Sequence, residues 1–101
     1  MITLSGKNFK KEVLNCNSGT YFLVDFYADW CQPCKQLLPI LNNINKRKDV
    51  KVGKINVETN PELVATYNIQ NLPTVLIFQN GNIKNQCVGL INEVKLNRKL
   101  N

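Results

Sequence analysis

The chain of 101 residues reads as an α/β domain built on a mixed sheet, and three observations carry that reading. Apolar runs of strand length fall at Tyr21–Tyr27 and Val75–Phe78, with an alternating run over Val50–Val57. The first two runs, apolar throughout except for Asp25, are the pattern of strands buried on both faces. Between them, Leu37, Leu38, Ile40, Leu41 and Ile44 recur at the i, i+3, i+4, i+7 spacing of one buried helix face. Near the end of the chain, Asn80-Gly81 is the strongest short hairpin signal, because both residues tolerate the positive φ of a tight turn. Alternation closed by a hairpin gives the order βαβαβαββα, about five strands with four helices on the two faces of the sheet. With no linker, repeat or low-complexity tract, residues 1–101 are expected to form a single domain.

Each element has its own local warrant. Ile2 to Leu4 reads as a short edge strand, and Ser5 as the N-cap of a first helix carrying Phe9, Val13 and Leu14 to about Asn15. Asn17-Ser18-Gly19 is a turn cluster. Pro33 suits the first turn of the next helix, where its missing N–H has no partner to lose. Pro39 lies inside that helix and is expected to kink it, with Asp49 ending it. Asn60-Pro61 reads as an N-cap and first helical residue for a short helix through Leu63, Val64 and Tyr67. Asn71-Leu72-Pro73-Thr74 breaks the chain before Val75–Phe78, which the hairpin joins antiparallel to Ile83–Val88. Asn92-Glu93 caps a closing helix with Val94, Leu96 and Leu100 inward.

Composition narrows the function. A hydrophobic fraction of 44% with eight aromatic residues belongs to a globular core, not to disorder. No apolar run approaches the roughly 18 residues of a membrane span, and Met1-Ile2-Thr3-Leu4 leads into Lys7, Lys10 and Lys11 without an apolar stretch to make a signal peptide. A cytoplasmic location is therefore expected, with no membrane partner. Four cysteines are too few and too irregularly placed for a disulfide scaffold. The net charge of +6 is spread over scattered lysines, so no nucleic-acid partner is expected. The one tight run, Lys46-Arg47-Lys48, reads as a solvated helix end complementing the dipole.

The chemistry concentrates in Val24-Asp25-Phe26-Tyr27-Ala28-Asp29-Trp30-Cys31-Gln32-Pro33-Cys34-Lys35. An apolar strand holding one acid runs out into two cysteines separated by two residues, and a helix follows at once. Cys31 then lies at or just before a helix N-terminus, where unpaired N–H groups and the dipole favour a thiolate over a thiol. The stretch reads as a reversible dithiol/disulfide centre. A carboxylate inside Phe22-Leu23-Val24-Asp25-Phe26 is costly to bury. Its burial raises its pKa and suits it to accept a proton; a solvated position at a sheet edge is the alternative.

Together with Leu72-Pro73-Thr74, Asn80-Gly81 and Val88-Gly89, this stretch resembles the thioredoxin family along nearly the whole chain. The resemblance implies the thioredoxin fold and a protein-disulfide reductase working by dithiol–disulfide exchange. It implies that Cys31 is the exposed attacking cysteine, Cys34 the more buried resolving one, Asp25 the carboxylate behind them and Lys54 its partner. Trp30, Gln32, Pro33, Leu72, Pro73, Thr74 and Gly89 would line the substrate groove, with Pro73 cis. No cofactor is expected on the chain itself. Electrons would come from NADPH through a flavoprotein thioredoxin reductase, and substrates would be disulfide-bearing proteins such as a peroxiredoxin, ribonucleotide reductase or methionine sulfoxide reductase, met by a monomer. Gln32 departs from the family's usual glycine, which bears on the redox potential and the fit to reductase; Tyr27 stands where the family often has tryptophan.

Other readings compete with parts of this one. A zinc site needs two close ligand pairs, whereas Cys16 and Cys87 are isolated and the chain has no histidine, so no metal is expected. Most X–Pro bonds are trans, and only the resemblance favours cis at Pro73. An oxidase or isomerase on the same fold often carries histidine between its cysteines, which is absent here; a binding or chaperone subunit would keep its activity with both cysteines replaced by serine. Cys16 reads as a small apolar residue near the end of the first helix. Cys87 reads as structural, although Ile83 and Val88 disagree on which face of the last strand is inward and leave it open to exposure and oxidation.

Overall fold

Five strands form one sheet in the order β1-β3-β2-β4-β5 in the computed structural model, which describes residues 1–101. The strands are β1 (Ile2–Thr3), β2 (Tyr21–Tyr27), β3 (Val50–Asn56), β4 (Thr74–Gln79) and β5 (Asn82–Val88). The first three run parallel, and β4 and β5 are antiparallel to their neighbours. Three α-helices, α1 (Gln32–Ile44), α2 (Pro61–Thr66) and α3 (Glu93–Arg98), and a π-helical turn over Lys10–Leu14 complete the α/β architecture expected of the sequence.

The strand period of two divides the core between the faces of the sheet. Tyr21, Leu23, Val50, Val52, Val75 and Ile77 pack beneath Leu37, Leu41 and Ile44 of α1 and Leu96 of α3. Phe22, Val24, Phe26, Ile55, Leu76 and Phe78 point the other way, against Phe9 and Val13 of the π-helical turn and Leu63 of α2. Tyr67 sits among the aromatic rings there, 5.4 Å from Phe9 and 5.7 Å from Phe78 between centroids. β2, central and apolar on both faces, is the strand on which the functional stretch is mounted.

The hairpin is built as its sequence demands. Asn80 and Gly81 have φ of 54° and 77°, the paired positive values of a type I′ turn. A Cβ on Gly81 would also lie 2.8 Å from the Leu14 carbonyl oxygen, so only glycine fits between the hairpin and the π-helical turn. Further along, Ile77 faces Asn85 and Phe78 faces Ile83, a β-bulge that leaves Lys84 without a partner. That extra residue resolves the disagreement between Ile83 and Val88. Both lie on the sheet face opposite α1, where they are 49% and 57% exposed. Cys87, opposite Val75, turns inward beneath α1 and α3, so it is buried and not exposed. Burial pushes its thiol pKa up, partly offset by Lys99.

Several local expectations are corrected. The first helix winds as a π-helix, and Ser5 stands ahead of it: its Oγ accepts from the Lys7 N–H, while Phe9 occupies the cap position. Cys16 beyond it is half-buried against the aromatic side of the core. Asn60 does not cap α2 with its side chain, because its amide donates to the Asn56 carbonyl. α1 ends at Ile44 and not near Asp49. Bonds from the Lys46 and Arg47 N–H groups to the Asn43 and Ile44 carbonyls tighten the chain there, and the Asn45 side chain accepts from the Val52 N–H. Arg47 is therefore more than a solvated helix end: it donates twice to Asp49 and once to Asn97 of α3. No helix is long and apolar enough to cross a membrane.

Candidate active site

β2 delivers its last residues to the edge of the sheet, where the chain turns directly into α1. Cys31 is the N-cap of that helix, with extended backbone angles, and its Sγ accepts from the Cys34 N–H at 3.3 Å. Pro33 occupies the first turn, as its missing donor permits. Pro39 lies inside α1 and deprives the Lys35 carbonyl of its helical hydrogen bond. Cys31 and Cys34 are joined by a disulfide across a Cα–Cα distance of 5.3 Å, within the range such a bridge needs.

Both cysteines are buried, Cys31 at 4% and Cys34 at 3% exposure, so the expected contrast in exposure is absent from the disulfide form. The two differ in what lies beside them. Cys31 borders an open groove of about 490 Å³ with Trp30, Gln32, Pro33 and Leu72 on its rim. Trp30 is 70% exposed. Val57, Val64 and Ile69 form the rest of its apolar lining, and the amides of Gln70 and Asn71 join that of Gln32; no lining side chain is charged. Cys34 instead borders a smaller space of about 220 Å³ behind the disulfide, together with Asp25, Tyr27, Lys35, Leu38 and Lys54.

Asp25 lies in a central strand, fully buried, and not at a solvated edge. Neither carboxyl oxygen has a hydrogen-bond partner in the protein. Burial pushes its pKa from 3.8 to about 7, with the Lys54 charge offsetting part of the rise. Lys54 is the register partner of Asp25 on β3, yet it forms no close ion pair with it; Arg47–Asp49 is the one pair within 4.0 Å.

The remaining predicted residues gather at the same end of the sheet. The Leu72–Pro73 peptide is cis. Thr74 begins β4, buried, with its hydroxyl donating to the Asn71 carbonyl. Gly89 follows β5 with φ of 85° and donates its N–H to the Pro73 carbonyl at 2.8 Å, tying the two loops together. Pro73, Thr74 and Gly89 do not line the groove itself. Sequence reasoning missed Val57, Val64, Ile69, Gln70 and Asn71 as groove residues. The available signal was weak: an apolar side of a six-residue helix, and a residue just past the end of β3. Tyr27 was noticed only as a departure from a family pattern, although its place two residues after Asp25 puts both on one face.

A disulfide at a helix N-terminus, with an unpaired buried acid behind it and an uncharged groove before it, is a thiol-exchange centre in geometry. The thioredoxin family model matches residues 1–101. The chain belongs to the thioredoxin family. Thioredoxins from Buchnera aphidicola subsp. Acyrthosiphon pisum and Rickettsia bellii are 44% and 45% identical to it. The alignments cover 95% and 86% of this chain and 89% and 83% of those proteins. That of Rickettsia conorii is 46% identical over 82% of this chain and 79% of its own length. As a member of this family the chain is a thiol–disulfide oxidoreductase, a protein-disulfide reductase whose substrates are disulfide-bearing proteins and which needs a reductase partner.

Proposed function

We propose that this thioredoxin-family chain is a general dithiol reductant in which Cys31 attacks and Cys34 resolves. In the reduced form, the Cys31 thiolate attacks one sulfur of a substrate disulfide. A mixed disulfide forms and the other substrate sulfur leaves as a thiolate. Asp25 takes the proton of the Cys34 thiol, either directly or through a water that the space behind the disulfide has room for. The Cys34 thiolate then attacks the Cys31 sulfur, expelling the second substrate thiolate and leaving the Cys31–Cys34 disulfide. Lys54 tempers the basicity of Asp25, its charge offsetting part of the rise that burial causes. Trp30, Gln32, Pro33, Leu72, Pro73, Thr74 and Gly89 form or brace the surface that receives an extended substrate segment. The observation that carries this reading is the partition of the disulfide: Cys31 borders the open groove, and Cys34 shares its space with a proton acceptor.

A flavoprotein thioredoxin reductase using NADPH would return the disulfide to the dithiol. Suitable substrates are a peroxiredoxin, ribonucleotide reductase or methionine sulfoxide reductase, in the cytoplasm and with the chain acting as a monomer. Replacing Cys34 with serine should trap a mixed disulfide through Cys31, while replacing Cys31 should abolish both trapping and turnover; trapping through another cysteine refutes the assignment. The potential of the couple, measured in glutathione buffers, is expected near about −270 mV, and a value of about −180 to −120 mV would make it an oxidant or isomerase.

A further inference from the structure

Lys54 has two neighbours competing for its ammonium. On β3 it is the register partner of Asp25, while Asn56 is that of Tyr27. Asp25 and Tyr27, two residues apart on β2, project from the same face of the sheet as Lys54, toward α1. The Lys54 Nζ lies over the Tyr27 ring, 5.7 Å from its centroid, within the reach of a cation–π attraction. It does not come within 4.0 Å of the Asp25 carboxyl, whose two oxygens are left without a protein partner. Asp25, Tyr27, Lys54 and Cys34 line one space of about 220 Å³.

We propose that Tyr27 is a positioning residue for the exchange reaction: its ring holds the Lys54 ammonium away from Asp25, so that the carboxyl behind Cys34 stays unpaired and able to accept a proton. A direct ammonium–carboxylate contact would pull that carboxyl toward permanent ionisation and make it a poorer base. The raised pKa of Asp25, with burial outweighing Lys54, fits an ammonium held at a distance. The other groups facing this space are Asp29 beyond β2 and Lys35 and Cys34 of α1; from β4, the residue opposite Asp25 is the uncharged Val75. The proposal rests on the reading of Asp25 as proton acceptor for Cys34, and its test separates the two.

The test follows the Asp25 carboxyl carbon by NMR against pH in the oxidised protein, where neither active-site cysteine titrates. Tyr27→Leu should lower the midpoint by about one pH unit as the ammonium moves onto the carboxylate; Tyr27→Phe, which keeps the ring, should leave it in place. With Lys54→Met as background, Tyr27→Leu should no longer lower it. Tyr27→Met supplies a second ring-free variant if leucine perturbs packing. An unchanged or raised midpoint in the ring-free variants, or an equal fall without Lys54, overturns the role of Tyr27. The pH profile of Cys34 attack on a Cys31 mixed disulfide is the second readout. If the carboxyl midpoint shifts as expected and that profile does not follow, Tyr27 positions Lys54 as proposed but Asp25 is not the base.

Discussion

The Cys31–Cys34 disulfide separates two spaces of opposite character. In front of Cys31 lies a wide groove, apolar on its floor, edged by an exposed indole and three amides, without a single charge. Behind Cys34 lies a space less than half as large, lined by a buried carboxyl, two lysines and a second acid. The difference teaches how a small α/β chain can treat its two sulfurs unequally although both are equally buried. Accessibility does not distinguish them; what each can exchange does. In the proposed mechanism the uncharged groove receives a polypeptide segment with little desolvation of its own walls, and the space behind Cys34 takes the proton.

The sharpest way to break this comparison is to remove the acid from the closed side. Asp25→Asn should slow resolution of a mixed disulfide by about 10²-fold above pH 7, and much less near pH 5, where the native carboxyl is itself protonated; stopped-flow rates across that range decide it. The same variant reports on stability. The folded pKa of about 7 lies above the ordinary 3.8, so between those values the unfolded chain releases a proton that the folded chain keeps. Through this carboxyl the native protein therefore loses stability as pH rises from about 4 to about 7, by up to roughly 4 kcal/mol, with no further loss from it above. Asp25→Asn should gain stability over the native chain at pH 8 and very little at pH 4, as urea unfolding will read. On the open side the effects are smaller. Trp30→Ala should raise KM for protein substrates several-fold, the loss of about 1 kcal/mol of aromatic contact, and leave the redox potential in place. Smallest is Gln32→Gly, which should cost the α1 terminus up to about 1 kcal/mol in thermal unfolding while barely altering KM.

Much of this frame was legible in the residues. An acid inside Phe22-Leu23-Val24-Asp25-Phe26 announces a buried carboxyl because nothing else in that strand faces water. Asn80-Gly81 announces its hairpin because few other pairs accept two positive φ angles. Asn92 caps α3 as read, accepting from the Lys95 N–H. What escaped depended on events that a period cannot encode. One unpaired residue, Lys84, reverses the parity of β5 and hides Cys87. Asn60 looks like a cap but spends its amide on Asn56, and the π-helical winding of Lys10–Leu14 has the same apolar positions as an ordinary helix. At the site, the cysteines and their acid were visible because chemistry restricts residue type. The groove walls Val57, Val64 and Ile69 were not, because aliphatic residues carry no such signature.

The bulge at Lys84 has a bearing on how the molecule behaves in a crowded solution. β5 is the long strand at the border of the sheet, paired with β4 on one side only, and its Gln86 N–H donates to the Asn85 side chain. Exposed Ile83 and Val88 on such a border are the ingredients of strand-to-strand stacking between copies. The unpaired residue bends and twists the strand between them, and its ammonium reaches back over the sheet to donate to the Tyr21 hydroxyl. A second copy approaching edge-on meets two short, misaligned halves instead of one straight template, so the border resists growth into a fibre without a helix to cover it.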